Sequence, residues 1–251
     1  MIRSRHETTQ EAWEWLNEFL ATQEERVKKN GGLRTGPQII SYDHFMEIEK
    51  AWVDPEFDFG FMFGYKKQKW TVLKSNYLNI EELDLVKGQV NEREDKGSSG
   101  YNIALQFTNQ HGHGHACLLS LVFQRRRTKP DPVIIINIRS SEATKRLLMD
   151  FLLVQRIAEY VYGEDIKVGI KLYCGNVYIS AENFVMYHNH KDLHTILEYG
   201  RSGMENKVID IYNKFMEPDA LEKIKYRVHL RAVKRLHHLP NPAIKAKDLL
   251  L

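Results

Sequence analysis

The chain has 251 residues, 43% of them hydrophobic and 27% charged, with a formal net charge of +3. That content suffices for one large domain or two small ones, excludes a disordered or fibrous protein, and includes no apolar run of membrane-spanning length. Two cysteines, Cys117 and Cys174, point to free thiols in a reducing, cytoplasmic setting, while a charge of +3 selects no partner.

The opening "MIRSRHETTQEAWEWL" reads as charged amphipathic helix with no secretory signal. A helix is expected over 8–30, capped by Thr8 or Thr9, with Trp13, Leu16, Phe19 and Leu20 as its apolar stripe and "NGG" at 30–32 as its stop. "LRTGPQIISY" is a turn feeding a short strand, and the aromatic-rich 45–75 fits helix or strand. Residues 80–95 form a polar helix that ends in "DKGSSG". "YNIALQF" (101–107), "ACLLSLVF" (116–123) and "VIIINI" (133–138) read as three buried strands, the last two joined by the charged connection "QRRRTKPDP". A second long helix spans 141–162 and stops at Gly163, and "KVGIKLYCGNVYIS" offers two strand-like runs broken at Gly175. Helices near 188–200 and 203–216 and a basic tract come next. No repeat or linker interrupts the chain, so one α+β domain over 1–251 is the economical reading.

The most unusual short stretch is "HGHGHAC", residues 111–117. On a strand, His111, His113, His115 and Cys117 would share a face and could chelate zinc. The intervening glycines favour a turn, however, and same-face ligands diverge along a strand, so solvated loop histidines are the simpler reading and no metal is expected. Cys117 by itself would be an inert buried thiol.

The residues beyond Cys117 change its meaning. The cysteine opens a strand, a hairpin comes after it, then "NIRSSEA", then a long helix, and this order resembles the thymidylate synthase superfamily. The nearest pattern is that of the deoxycytidylate and cytidylate hydroxymethylases. The resemblance implies an α+β fold with a mixed sheet and flanking helices, a homodimer with sheets packed face to face, and Cys117 as nucleophile. Arg139, 22 residues after Cys117, and Ser140 stand in the place of the family's Arg-Ser-x-Asp signature, with Glu142 replacing its aspartate. "RTG" at 34–36 resembles the N-terminal phosphate-loop arginine, which makes Arg34 a phosphate ligand. "CGNVYIS" at 174–180 resembles the strand that holds the sugar, which places Asn176 and Tyr178 among the substrate-binding residues.

The implied chemistry needs these residue types together. C5 of a pyrimidine is a poor nucleophile, and a thiolate adding to C6 makes C5 enamine-like. That carbon can then attack the one-carbon unit of 5,10-methylenetetrahydrofolate, the implied cofactor. A guanidinium lowers the thiol's pKa, and the same Arg139 can hold a phosphate with two donors. Asp150 lies eleven residues beyond Arg139, where the family carries asparagine for uracil and aspartate for cytosine. An amide matches the O4 acceptor and N3 donor of uracil; a protonated carboxyl group matches the reversed pattern of cytosine. Leu147, Leu153 and Val154 surround Asp150 at helical spacing and should raise its pKa. The alternative is an aspartate on the solvated flank of its helix.

Four positions depart from the family pattern. Gly100 and Tyr101 stand where an Arg-Arg pair usually serves the partner's phosphate, and Tyr178 and Ser180 replace His-x-Tyr at the ribose. Lys145 and Arg146 occupy the glycine-bearing folate wall, and Glu142 stands for the aspartate that contacts folate. Two rival readings therefore stay open. One is a diverged homologue that adds its thiol at C6 without methylene folate. The other is a nucleic-acid or nucleotide-binding module resting on "KIKYRVHLRAVKRLHH", whose charges equally suit a solvated helix face.

Overall fold

The computed structural model describes residues 1–23, 27–28, 38–59, 67–95, 101–107, 117–125, 131–180, 183, 187 and 244–251. Arg34, His111, His113, His115, the helices expected near 188–200 and 203–216 and the basic run at 223–238 lie outside them. In order, the elements are β1 (Ile2–Thr8), α1 (Thr9–Ala21), β2 (Val27–Lys28), β3 (Gln38–Lys50), α2 (Lys67–Tyr77) and α3 (Ile80–Asp95). Then come β4 (Tyr101–Gln106), β5 (Leu118–Arg125), β6 (Val133–Glu142), α4 (Arg146–Tyr162) and β7 (Gly169–Ser180). The fold is mixed α+β, as expected. Among the described residues no helix is long and apolar enough to cross a membrane.

Among the described residues one seven-stranded sheet runs β1-β3-β7-β6-β5-β4, with β2 also on β3. β1 is parallel to β3 and β6 is parallel to β7, and each pair is joined through a helix, α1 and α4 respectively. Parallel neighbours need such a crossover, which puts both helices against the sheet. The other pairings are antiparallel. α4 is apolar nearly all round because it packs against the sheet and against two neighbouring helices, α1 and α3. Its buried residues include Leu147, Leu148, Phe151, Leu152 and Val154, and one carboxylate, Asp150.

The helix expected over 8–30 starts on its expected cap but ends at Ala21, and Val27–Lys28 is already strand β2. Ile2–Thr8 is an edge strand whose Arg3, Arg5 and Glu7 face water, and the helix begins only at Thr9. Thr8 caps it by accepting from the Glu11 N–H at 3.1 Å, while Glu11 accepts from the Glu7 N–H at 2.7 Å. The expected break at Gly175 is also absent: β7 is one strand of twelve residues. At the other end, residues 244–251 return to the helices. Arg156 donates to the carbonyls of Ala246 and Leu249, and the Trp70 indole donates to that of Leu250 at 2.9 Å.

A fault crosses four adjacent strands at one level. Along β3 the buried positions are 39 and 41, then 44, 46 and 48; along β7 they are 170, 172 and 174, then 177 and 179; along β6 they are 134, 136 and 138, then 141. Each strand thus puts two successive residues on the outward face: Tyr42–Asp43, Gly175–Asn176 and Arg139–Ser140. In β5 the register with β6 slips between Leu118 and Ser120, which leaves Leu119 as the extra, exposed residue. Bulges of this kind bend a strand and re-aim its side chains. Asp43 takes a positive φ of 57° there, and a Cβ on Gly175 would lie 2.7 Å from the Arg139 carbonyl oxygen. The fault is where the sheet delivers Ser140, Ser141, Asn176 and the neighbourhood of Cys117.

Candidate active site

The turn between β6 and α4 is pinned from three sides. The Trp13 indole donates to the Thr144 carbonyl at 3.0 Å, and the Thr144 hydroxyl donates to the Asn17 side-chain oxygen at 3.1 Å. The Ala143 N–H donates to the Tyr178 carbonyl at 2.8 Å. Glu142 accepts from the Lys145 N–H at 2.7 Å on one oxygen and from the Asn183 amide at 2.9 Å on the other. Both Glu142 oxygens are therefore engaged in holding the start of α4. This rigid turn fixes where Arg146 and Asp150 stand.

Asp150 is 1% exposed, and Arg146 Nε lies 2.9 Å from its Oδ1. Burial raises the Asp150 carboxyl from 3.8 to about 6, opposed by the Arg146 guanidinium and by Ser141 of β6. The aspartate is thus not on a solvated flank. Its apolar setting, read from Leu147, Leu153 and Val154, is present. Arg146 also lies over the Tyr77 ring, 5.1 Å from its centroid. The tie to Asp150 has a sequence signal that was open to reading, an i, i+4 pair of opposite charges, whereas Ser141 reaches Asp150 only through the fold.

Strand register sets the rest. Arg139 donates its backbone N–H to the Cys117 carbonyl at 2.8 Å, so Cys117, just before β5, lies beside the signature residues. Cys117 is partly exposed. Cys174 is buried and its Sγ donates to the Asn176 carbonyl at 3.3 Å. Burial, then the Asp150 charge, push its thiol up to about 12. It stays protonated at neutral pH and is no nucleophile. Burial raises the Tyr178 phenol too, with Glu142 and Cys117 adding to the effect and Arg146 opposing it. Cys117, Glu142, Arg146, Asp150, Cys174 and Tyr178 thus form one electrostatic neighbourhood. Ser140 pairs with Asn176 across β6 and β7, both half-buried. The Arg139 side chain is exposed on the outward sheet face, away from helix-borne Asp150.

A groove of about 370 Å³ opens beside this cluster, between α2 and the start of α4. Val72, Leu73 and Met149 line it with apolar surface, and Lys69, Lys145 and Arg146 add positive charge. Among the described residues no group of three or more His, Cys, Asp or Glu side chains could hold a metal. Comparison with protein-family models and with curated proteins gives no match for this chain.

Proposed function

We propose that this protein is a thymidylate synthase-type transferase that hydroxymethylates or methylates C5 of a pyrimidine nucleotide, with CMP or dCMP as substrate. The observation that carries the reading is the buried carboxyl group of Asp150, raised to about 6 beside Ser141 of β6 and Cys174 of β7. A carboxyl poised there can take up a proton, donate it as a hydrogen bond to N3 of cytosine, and accept from the C4 amine. With uracil the same group would leave a buried donor and acceptor mismatched.

In this scheme the Cys117 thiolate forms a bond to C6 and C5 becomes nucleophilic. Lys69, Lys145 and Arg146 at the groove would hold methylene folate, which would supply the one-carbon unit for C5. The apolar floor and cationic rim of the groove suit an aromatic carboxylate of that kind. The C5 proton would then leave as the one-carbon unit parts from tetrahydrofolate. Water would add to the resulting exocyclic methylene in hydroxymethylation, or a hydride from the folate in methylation, and the C6–S bond would break to release the Cys117 thiol. Arg139, Ser140 and Arg34 are the phosphate ligands, and Asn176 and Tyr178 face the sugar. The partner is a second copy of the chain, packed sheet to sheet, and the outward Phe45–Tyr173 ring pair, with centroids 4.7 Å apart, would lie in that interface.

Tritium release from [5-³H]CMP or [5-³H]dCMP tests the reading, because loss of the C5 proton reports attack at C6. Release that requires methylene folate is expected. Release without folate would favour the diverged homologue, and no release from either nucleotide would remove the enzyme reading.

A further inference from the structure

We propose that Arg146 couples the groove to the Asp150 carboxyl: an organic anion bound between α2 and α4 engages the guanidinium that pairs with Asp150, and a proton from solvent then settles on the buried carboxylate. The proposal rests on two placements of one side chain. Arg146 lines the groove together with Lys69 and Lys145, and its Nε holds Asp150 Oδ1 at 2.9 Å. The described lining includes no carboxylate, and Val72, Leu73 and Met149 supply apolar surface. The chemistry that fits is a flat apolar body bearing a carboxylate.

Charge sets the direction of the coupling. A guanidinium has five donors in a fixed fork, so a second anion can share it or draw it away. Either way the attraction on ionised Asp150 weakens, and the new anion adds repulsion where solvent screens poorly. Among the described residues, the other groups around the carboxyl do not compensate. Ser141 from β6 is a neutral donor, Cys174 from β7 is held protonated near 12, and the Tyr178 phenol is raised by burial. Glu142 is occupied at the turn, and α1 presents the uncharged Trp13 and Asn17 to it. By linkage, protonating Asp150 must tighten anion binding by the same factor. The consequence for substrate, that a filled groove favours cytosine, rests on Asp150 as the base reader; the coupling itself does not.

The experiment tracks the ¹³C resonance of the Asp150 carboxyl through a pH titration of the full chain, assigned with Asp150→Asn. The probes are 2-naphthoate and its neutral isostere 2-naphthamide. Saturating naphthoate should raise the midpoint by about one pH unit, a tenfold change in proton affinity, and naphthamide should leave it in place. Arg146→Gln should start with a higher midpoint and respond to neither probe. Arg146→Lys keeps a cation if the glutamine variant does not fold, and should respond more weakly than wild type. Lys69→Ala with Lys145→Ala should keep the resting midpoint and need more naphthoate. Failure of naphthoate to bind, a midpoint that bound naphthoate leaves unmoved, or an equal response to naphthamide or in Arg146→Gln overturns the coupling. No nucleotide or turnover enters the measurement, so its failure is distinct from failure of the transferase reading.

Discussion

Arg146 and Asp150 form an ion pair across one turn of α4, 2.9 Å from Nε to Oδ1, in which the arginine side chain is 34% exposed and the aspartate 1%. The pair is unequal. Removing Asp150 leaves a cation that can reach water, whereas removing Arg146 leaves a buried carboxylate whose cheapest response is to bind a proton. The pair therefore governs how often Asp150 is neutral, and several outcomes depend on that.

Asp150→Asn should move base preference from cytosine towards uracil. The amide presents its donor and acceptor to O4 and N3–H, and each buried polar group left unpaired costs roughly 1–3 kcal/mol. The ratio of kcat/KM for CMP or dCMP over that for UMP or dUMP should change by at least about tenfold. Equal loss of both activities would make Asp150 structural or catalytic and not a base reader, and no change would remove the cytosine assignment.

Stability should carry the same signature. Between 3.8 and about 6 the folded Asp150 binds a proton that the unfolded chain has released, so its contribution to stability falls as pH rises through that window. From pH 5 to pH 7 the loss is about 1 kcal/mol, and Asp150→Asn lacks it. Urea unfolding of both proteins at the two pH values checks this: the variant should gain on wild type as pH rises. A parallel pH dependence in the two proteins would contradict the burial-raised carboxyl.

Cys117→Ser should abolish tritium release and leave the fold intact, because an alkoxide is far harder to form than a thiolate at neutral pH. Activity within about tenfold of wild type would remove Cys117 from the scheme. Cys174→Ser should keep activity close to wild type, since the Cys174 thiol is held protonated and a hydroxyl can replace its donation to the Asn176 carbonyl.

Gly175→Ala tests the fault in the sheet. The new Cβ would meet the Arg139 carbonyl oxygen at 2.7 Å, and a backbone atom in the middle of β6 cannot move aside cheaply. A loss of roughly 1–3 kcal/mol is expected in urea unfolding. Gly88→Ala, where a Cβ meets nothing within 4 Å, is the control and should be neutral or stabilising.

Helical features were largely open to reading from the sequence. The stripe of Trp13, Leu16, Phe19 and Leu20, the polar helix at 80–95 and the apolar setting of Asp150 arise from a periodicity contained in a dozen residues. Arg146 as the partner of Asp150 was equally available, one turn away on the same helix. The strands were open to reading in composition but not in consequence. Ile2–Thr8 resembles the start of a charged helix, and it becomes a strand because it pairs with His44–Lys50 of β3, some forty residues away. Gly175 reads as a break because glycine punctuates sequences, yet in the fold it lets β7 pass close to the Arg139 carbonyl. The approach of Cys117, Ser141, Cys174 and Asp150 is decided in the same way, by strand register and the fault that crosses the sheet. A helix places its side chains through bonds within one turn, whereas a sheet places them through partners that only the folded chain brings together.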